Sequence, residues 1–301
     1  MMWFIDYIKL TSPGINLLVM LTGFIGMWTA LRGTAIPANP SLFLWGLLGI
    51  GLASAGSSVF NNCYDRDIDR LMDRTLRRPL PSGRVSLTVA LVFGTSLSLA
   101  SFLILNFFVN ALSAVLAALA IFVYAFIYTI MLKRKTPHAT EIGGISGALP
   151  PVIGWAAVRG SIGLEALILF GIMFLWQPPH FWSLASRHKM DYKNAAIPTM
   201  PVVVSEKETN IRSLIYTASL LMVSLLPHLI GMSGKLYLSV SLTLGIIYIL
   251  LYLMTLPAPQ KVIRFFGGPD LSKRDLNRLL FFYSIAYLSL IFLLMAIDIE
   301  N

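Results

Sequence analysis

Four aspartates fall between positions 65 and 73 in the run Asn61-Asn62-Cys63-Tyr64-Asp65-Arg66-Asp67-Ile68-Asp69-Arg70-Leu71-Met72-Asp73-Arg74. If this stretch is helical, Asn61, Asp65 and Asp69 recur every fourth residue and drift by only about 40° per step, so they share a face. Like charges at that spacing destabilise a helix by about 0.2–0.5 kcal/mol per pair unless a cation lies between them. Two carboxylates and an amide oxygen, one turn apart, form a hard-oxygen donor set. Such a set suits Mg²⁺, which takes its remaining ligands from water and substrate phosphates, better than it suits a soft or imidazole-preferring metal. The competing reading is a solvated helix end whose aspartates pair with Arg66, Arg70 and Arg74. Asp67 points elsewhere on the helix and reads as structural; Asp73, at the drifting end of the face, stays undecided.

The elements that must position these residues are membrane helices. The 301-residue chain is 56% hydrophobic and only 12% charged, with a mean hydropathy of +0.76, which does not describe a water-facing surface. The apolar runs are long and do not alternate, so the spanning elements are helices and not barrel strands. Charge-free stretches run Leu10–Leu31, Gly33–Tyr64, Val85–Leu132, Ile142–Val158, Ala166–Ser186, Ser213–Gly234, Leu236–Gln260 and Leu279–Ala296. At about 20 residues per crossing these predict an all-α bundle of nine transmembrane helices in one domain over residues 1–301. The third stretch is long enough for two helices, with a turn near Asn106 and Asn110. The short run from Ile142 carries Pro150-Pro151 and is expected to be kinked and buried among its neighbours.

Of the 23 basic residues, all but Arg32, Arg159 and Lys235 fall in one set of alternate loops. The positive-inside rule puts those loops and the N-terminus in the cytosol and the C-terminus on the far side. The aspartate run then lies at the cytosolic face. Met1–Lys9 already carries an acid and aromatics, so no cleavable leader is expected. Topology explains the net charge of +9; no soluble basic domain is present to bind nucleic acid. Cys63 is the one cysteine, which excludes an internal disulfide and any multi-cysteine metal centre.

The Asn-x-x-x-Asp-x-x-x-Asp pattern at the mouth of the second span resembles the first aspartate motif of the UbiA-type intramembrane prenyltransferases. The continuation Arg74-Thr75-x-x-Arg78-Pro79-Leu80-x-x-Gly83 narrows the resemblance to the protohaem IX farnesyltransferase branch. Further segments are similar to that branch in the same order: Tyr124-x-x-x-Tyr128-Thr129 before Leu132-Lys133-Arg134, then Ile142-Gly143-Gly144 with Gly147-Ala148 and Pro150-Pro151-x-x-Gly154-Trp155. Trp176-Gln177-x-Pro179-His180-Phe181 and Asp191-Tyr192-x-x-Ala195-x-Ile197-Pro198-x-x-Pro201-Val202 are the most branch-specific. The chain departs from the pattern at Thr11-Ser12-Pro13, where a lysine is common, and at Ala139, where an asparagine is common. Glu141 is an unexpected acid, and Ala195 stands where a second acid often follows Asp191.

The resemblance implies a Mg²⁺-dependent enzyme that ionises farnesyl diphosphate and transfers the farnesyl group to the vinyl group of protohaem IX (haem b), giving haem O. Asp65 and Asp69 would be catalytic, with Asn61, Asp65, Asp69 and Asp191 holding the metal. Arg78, Lys133 and Arg134 would add positive charge for the diphosphate, although each can also be read as a topology or headgroup cation. His180 is the candidate for contacting haem iron, against a reading in which it satisfies carbonyls freed by Pro178 and Pro179. Tyr124, Tyr128 and Trp176 could face the farnesyl cation or simply pack. The expected setting is a lipid bilayer, the inner membrane of a bacterial-type cell. A downstream haem-modifying enzyme or oxidase assembly stays open as a partner. Two alternatives remain: the same architecture with an aromatic quinone-precursor acceptor, and a transporter, which would place its site at the midplane between internal repeats.

Overall fold

A computed structural model describes residues 2–32, 39–256 and 273–298. Among these residues the fold is helical throughout, with no strand. In chain order the elements are α1 (Met2–Leu10), α2 (Pro13–Ala30), α3 (Pro40–Tyr64), α4 (Arg66–Asp69), α5 (Leu87–Phe108) and α6 (Ala111–Phe122). The last of these runs on into a π-helical segment, Val123–Leu132. There follow α7 (Ala139–Arg159), α8 (Leu164–Arg187), α9 (Lys189–Asn194), α10 (Met200–Val203), α11 (Glu206–Leu229), α12 (Lys235–Leu253) and α13 (Lys273–Ile297).

Helix boundaries follow local chemistry. Pro40 starts α3, where a missing N–H costs nothing, and Asn39 Oδ1 accepts from Ser41 N at 3.0 Å. The turn expected near Asn106 and Asn110 is found at Val109–Asn110: the Asn110 side chain accepts from Ser113 N at 2.8 Å and donates to the Ala156 carbonyl at 2.8 Å. One residue therefore caps α6 and ties it to the end of α7.

Eight of the described helices are long and apolar enough to cross a membrane; α7 is not among them. The ninth expected span exists as a helix, but its glycines and prolines dilute its apolarity, and it occupies the interior instead of facing lipid. An unbroken run from Ala148 to Ala157 is buried. Gly26 of α2 lies against the Pro151 carbonyl, and Gly154 of α7 lies against that of Gly23, so a Cβ at either glycine would strike backbone. Close approach through small residues is how helices pack where lipid removes the hydrophobic drive. By contrast, only 17% of the apolar window of α5 is buried, against 56% for α3, so α5 is peripheral and α3 central.

Two of the three basic residues outside the cytosolic set are bonded to helix ends. Arg159 donates to the Ala30 carbonyl at 2.6 Å and the Arg32 carbonyl at 2.8 Å. Arg32 donates to the carbonyls of Met232, at 2.9 Å, and Ala296. They fasten α2, α7, α11 and α13 at one end of the bundle. Burial lowers the pKa of Arg32, and Asp298 works against that shift. Gly33, Gln260, Lys261 and Arg264, used in the sequence reading, lie outside the described residues.

Candidate active site

The acidic segment keeps a helical register across the joint between α3 and α4: Asp65 N donates to the Asn61 carbonyl at 2.9 Å, and Asp69 N to that of Asp65 at 2.8 Å. Asn61, Asp65 and Asp69 therefore stack on successive turns. Asp65 is wholly buried and Asp69 is 2% exposed. Shielded carboxylates are expensive unless paired, and each has a cation. Lys133 Nζ is bonded to Asp65 Oδ2, which also accepts from Asn61 Nδ2 at 2.9 Å. Arg78 Nη1 is 2.9 Å from Asp69 Oδ2. Asp65 Oδ1 is buried and has no hydrogen-bond partner.

Burial raises the Asp69 pKa and the Asp65 charge adds to the rise, while Arg78 and Lys133 oppose it. For Lys133 burial is the largest influence and would lower the pKa, but Asp65 and Tyr124 together prevail and raise it.

Lys133 reaches Asp65 because of the π-helical segment. Lys133 N bonds back to the Tyr128 carbonyl at 2.8 Å, five residues earlier, and Thr129 Oγ1 donates to the Tyr124 carbonyl at 2.8 Å, also five earlier. The wider coil puts Lys133 Nζ 5.7 Å from the Tyr128 ring centre, and Tyr128 stacks on Tyr124 at 5.4 Å. Gly143 makes room: a Cβ there would come within 2.8 Å of the Tyr128 ring.

Arg78 is held from behind by Asn62, whose Oδ1 accepts from Arg78 Nη1 at 3.3 Å while its amide donates to the Leu10 and Ser58 carbonyls. Asn62 and Thr129, the latter bonded to Asn61, were not singled out from sequence. The adjacent Asn-Asn pair was the one available signal.

Arg134 is turned to Asp67, with both Nη atoms at 2.7 Å from its oxygens, and its guanidinium lies 4.4 Å from the Tyr64 ring centre. That contact holds the Asp67 carboxyl below its usual pKa. Asp191, on α9, lies 3.4 Å from His188 Nδ1. Its neighbour Tyr192 is buried in a cluster with Ile68, Met72 and Ile197, which seats the α9 loop on α4. Among the described residues no three His, Cys, Asp or Glu side chains converge closely enough to hold a metal. Asp191 thus belongs to a segment docked on the acidic one without joining its carboxylates.

His180 lies between two aromatic planes, 4.2 Å from the Trp176 ring centre and 4.8 Å from that of Phe281, and its Nδ1 is 2.6 Å from Ser284 Oγ. The adjacent Pro179 carbonyl is taken by Tyr252 Oη at 2.8 Å, so His180 is not employed in satisfying it. Glu141 accepts from or shares a proton with His138 Nδ1 at 3.0 Å, and its second oxygen is buried without a partner.

A bundle of apolar helices with paired acids and cations at one end of α3 is the architecture of a membrane-embedded transferase for charged-headed lipids. The model of the UbiA prenyltransferase family matches residues 19–296. A protoheme IX farnesyltransferase of Aquifex aeolicus is 48% identical over 293 residues, covering 97% of this chain and 94% of the relative. Among solved structures, one concerning digeranylgeranylglyceryl phosphate synthase matches with a TM-score of 0.76 at 17% identity over 99% of both chains. A UbiA homolog from Archaeoglobus fulgidus bound to GPP and Mg²⁺ matches at 0.62 and 19% identity, over 97% of this chain and 100% of that one. This chain belongs to the UbiA prenyltransferase family. It is an integral, multi-pass membrane enzyme of the prenyl-transferring class.

Proposed function

We propose that this protein transfers the farnesyl group of farnesyl diphosphate to the vinyl group of haem b, giving haem O. The observation that carries the proposal is the buried pair Asp65 and Asp69, each held by one cation, with one oxygen of Asp65 left uncommitted. The acceptor rests on the 48% identity, over nearly the whole chain, to a protoheme IX farnesyltransferase.

The carboxylates, the Asn61 amide and the unpartnered Asp65 oxygen fit a hard divalent cation, and Asp191 is the further carboxylate the α9 loop can offer. Magnesium, when bound, neutralises charge building on the leaving diphosphate. Arg78 and Lys133 add donors to the same oxygens, in a place where burial strengthens every charge. Arg134, already compensated by Asp67, braces the loop that carries Lys133. The C1–O bond of the donor breaks, pyrophosphate leaves with the electron pair, and the vinyl group attacks the allylic cation. Water then adds to the resulting benzylic-type cation and loses one proton, which makes the hydroxyethylfarnesyl substituent. His180 is the proposed contact to haem iron, with Ser284 fixing the ring through Nδ1.

In this reading residues 1–301 form one domain of nine crossings in the inner membrane of a bacterial-type cell. The N-terminus and the acidic segment face the cytosol, and α7 is the ninth crossing, shielded by its neighbours. A haem-modifying enzyme or an oxidase-assembly factor is the natural recipient of the product. Purified protein in detergent, given farnesyl diphosphate, Mg²⁺ and either haem b or an aromatic quinone precursor, tests this. Mass spectrometry should find farnesylated haem alone; prenylation of only the aromatic acceptor would overturn the proposal.

A further inference from the structure

Thr129 is completely buried and lies between the π-helical segment and Asn61. Its hydroxyl donates to the Tyr124 carbonyl at 2.8 Å. A hydroxyl carries one proton, so toward Asn61, whose amide nitrogen is 3.1 Å away, this oxygen can only accept. The Asn61 nitrogen must therefore face Thr129, with its second hydrogen directed to Asp65 Oδ2 at 2.9 Å. The Asn61 carbonyl oxygen is left facing away from both, and among the described residues no donor engages it. The other uncommitted oxygen of the cluster is Asp65 Oδ1.

Asp65 and Thr129 share the task of holding the amide, but they do not hold it equally. A carboxylate drawn toward a cation releases its hydrogen-bond donors. The Thr129 oxygen cannot leave, because its proton is tied to backbone inside a helix. We infer that Thr129 is a positioning residue that fixes the Asn61 amide with its oxygen turned toward the divalent cation of the prenyl-transfer site. The inference rests on the metal-assisted reading above and is independent of which acceptor is used. Removing the hydroxyl leaves a buried amide N–H without a partner and lets the amide rotate, at the cost of the oxygen's placement.

The test is Mn²⁺ binding to the purified full chain in detergent with a farnesyl thiodiphosphate analogue and no acceptor, read by electron paramagnetic resonance. Thr129→Val should weaken Mn²⁺ binding about 10- to 100-fold, the usual cost of losing a residue that orients a ligand, and Thr129→Ser should restore it. Haem b binding should not change. In an Asn61→Ala background Thr129→Val should add nothing, because the two act through one amide. Should Thr129→Val melt early, Thr129→Ala is read by the same criteria. Wild-type Mn²⁺ binding by a folded Thr129→Val protein, or the same added loss in the Asn61→Ala background, overturns the inference. Failure of the unsubstituted protein to bind Mn²⁺ at all removes the metal reading itself, and this inference with it.

Discussion

Lys133 Nζ is bonded to Asp65 Oδ2 although the two residues are on different helices and the carboxylate has no solvent exposure. The ammonium is the main compensation for a charge that could not otherwise sit there. Lys133→Met should therefore cost about 3–5 kcal/mol of stability, the range for breaking a buried pair on one side. Added Mg²⁺ should recover part of it by replacing the lost cation. Thermal melts with and without Mg²⁺ check this; equal melting of variant and wild type under both conditions contradicts it.

Asp65→Ala and Asp69→Ala should each reduce product formation by at least about 10²–10³-fold, the scale on which a lost electrostatic stabiliser is felt in turnover. The variants should still insert and extract as monodisperse protein. Product assays on matched amounts of membrane protein decide it, and near-normal turnover by either variant would falsify the assignment.

The ring stacking of His180 between Trp176 and Phe281 leaves Nε2 as the nitrogen not occupied by Ser284. His180→Ala should weaken haem b binding, followed by the Soret band, more than it weakens farnesyl diphosphate binding. The opposite order would remove His180 from the acceptor side.

The Arg134–Asp67 contact is a partly exposed pair, with Asp67 65% and Arg134 29% accessible. Its coupling in a double-mutant cycle should lie at or below about 1 kcal/mol. Because the folded pKa of Asp67 is lowered, the stabilisation is present above the unfolded carboxyl pKa of about 4 and fades as pH falls through the lower folded value. A coupling that grew on acidification would contradict the pairing.

Nine crossings with a cytosolic N-terminus place the C-terminus outside. A reporter fused after Asn301 should be active only on the external side; cytosolic activity of the fusion breaks the topology.

Much of this was legible in the sequence because it depends on period and composition. Acids four apart specify one helical face whatever surrounds them, and the turn at Val109–Asn110 follows from the length of an apolar run. The Ile142–Val158 stretch was legible as a buried helix for the same reason that it fails as an apolar one: it is built from glycine and proline. Long-range pairing was not legible. Nothing local to Arg134 says that Asp67 will hold it, nor does anything near Arg32 and Arg159 say that they bond to helix ends rather than face a membrane surface. The Thr129–Asn61 bond joins positions 68 apart, and no spacing rule reaches that far.

The π-helical stretch stores one surplus residue in the rod that ends at Lys133. A coil of that kind behaves as a shim. Deleting a single apolar position such as Ile127 would let the stretch relax to ordinary pitch and turn everything beyond it by about 100° relative to what precedes it. The ammonium would then swing off the carboxylate while hydropathy and length stayed almost unchanged. Relatives that differ by one residue in this stretch should therefore carry their cation at a compensating position, and an alignment drawn on apolarity alone would pair the wrong residues across the gap.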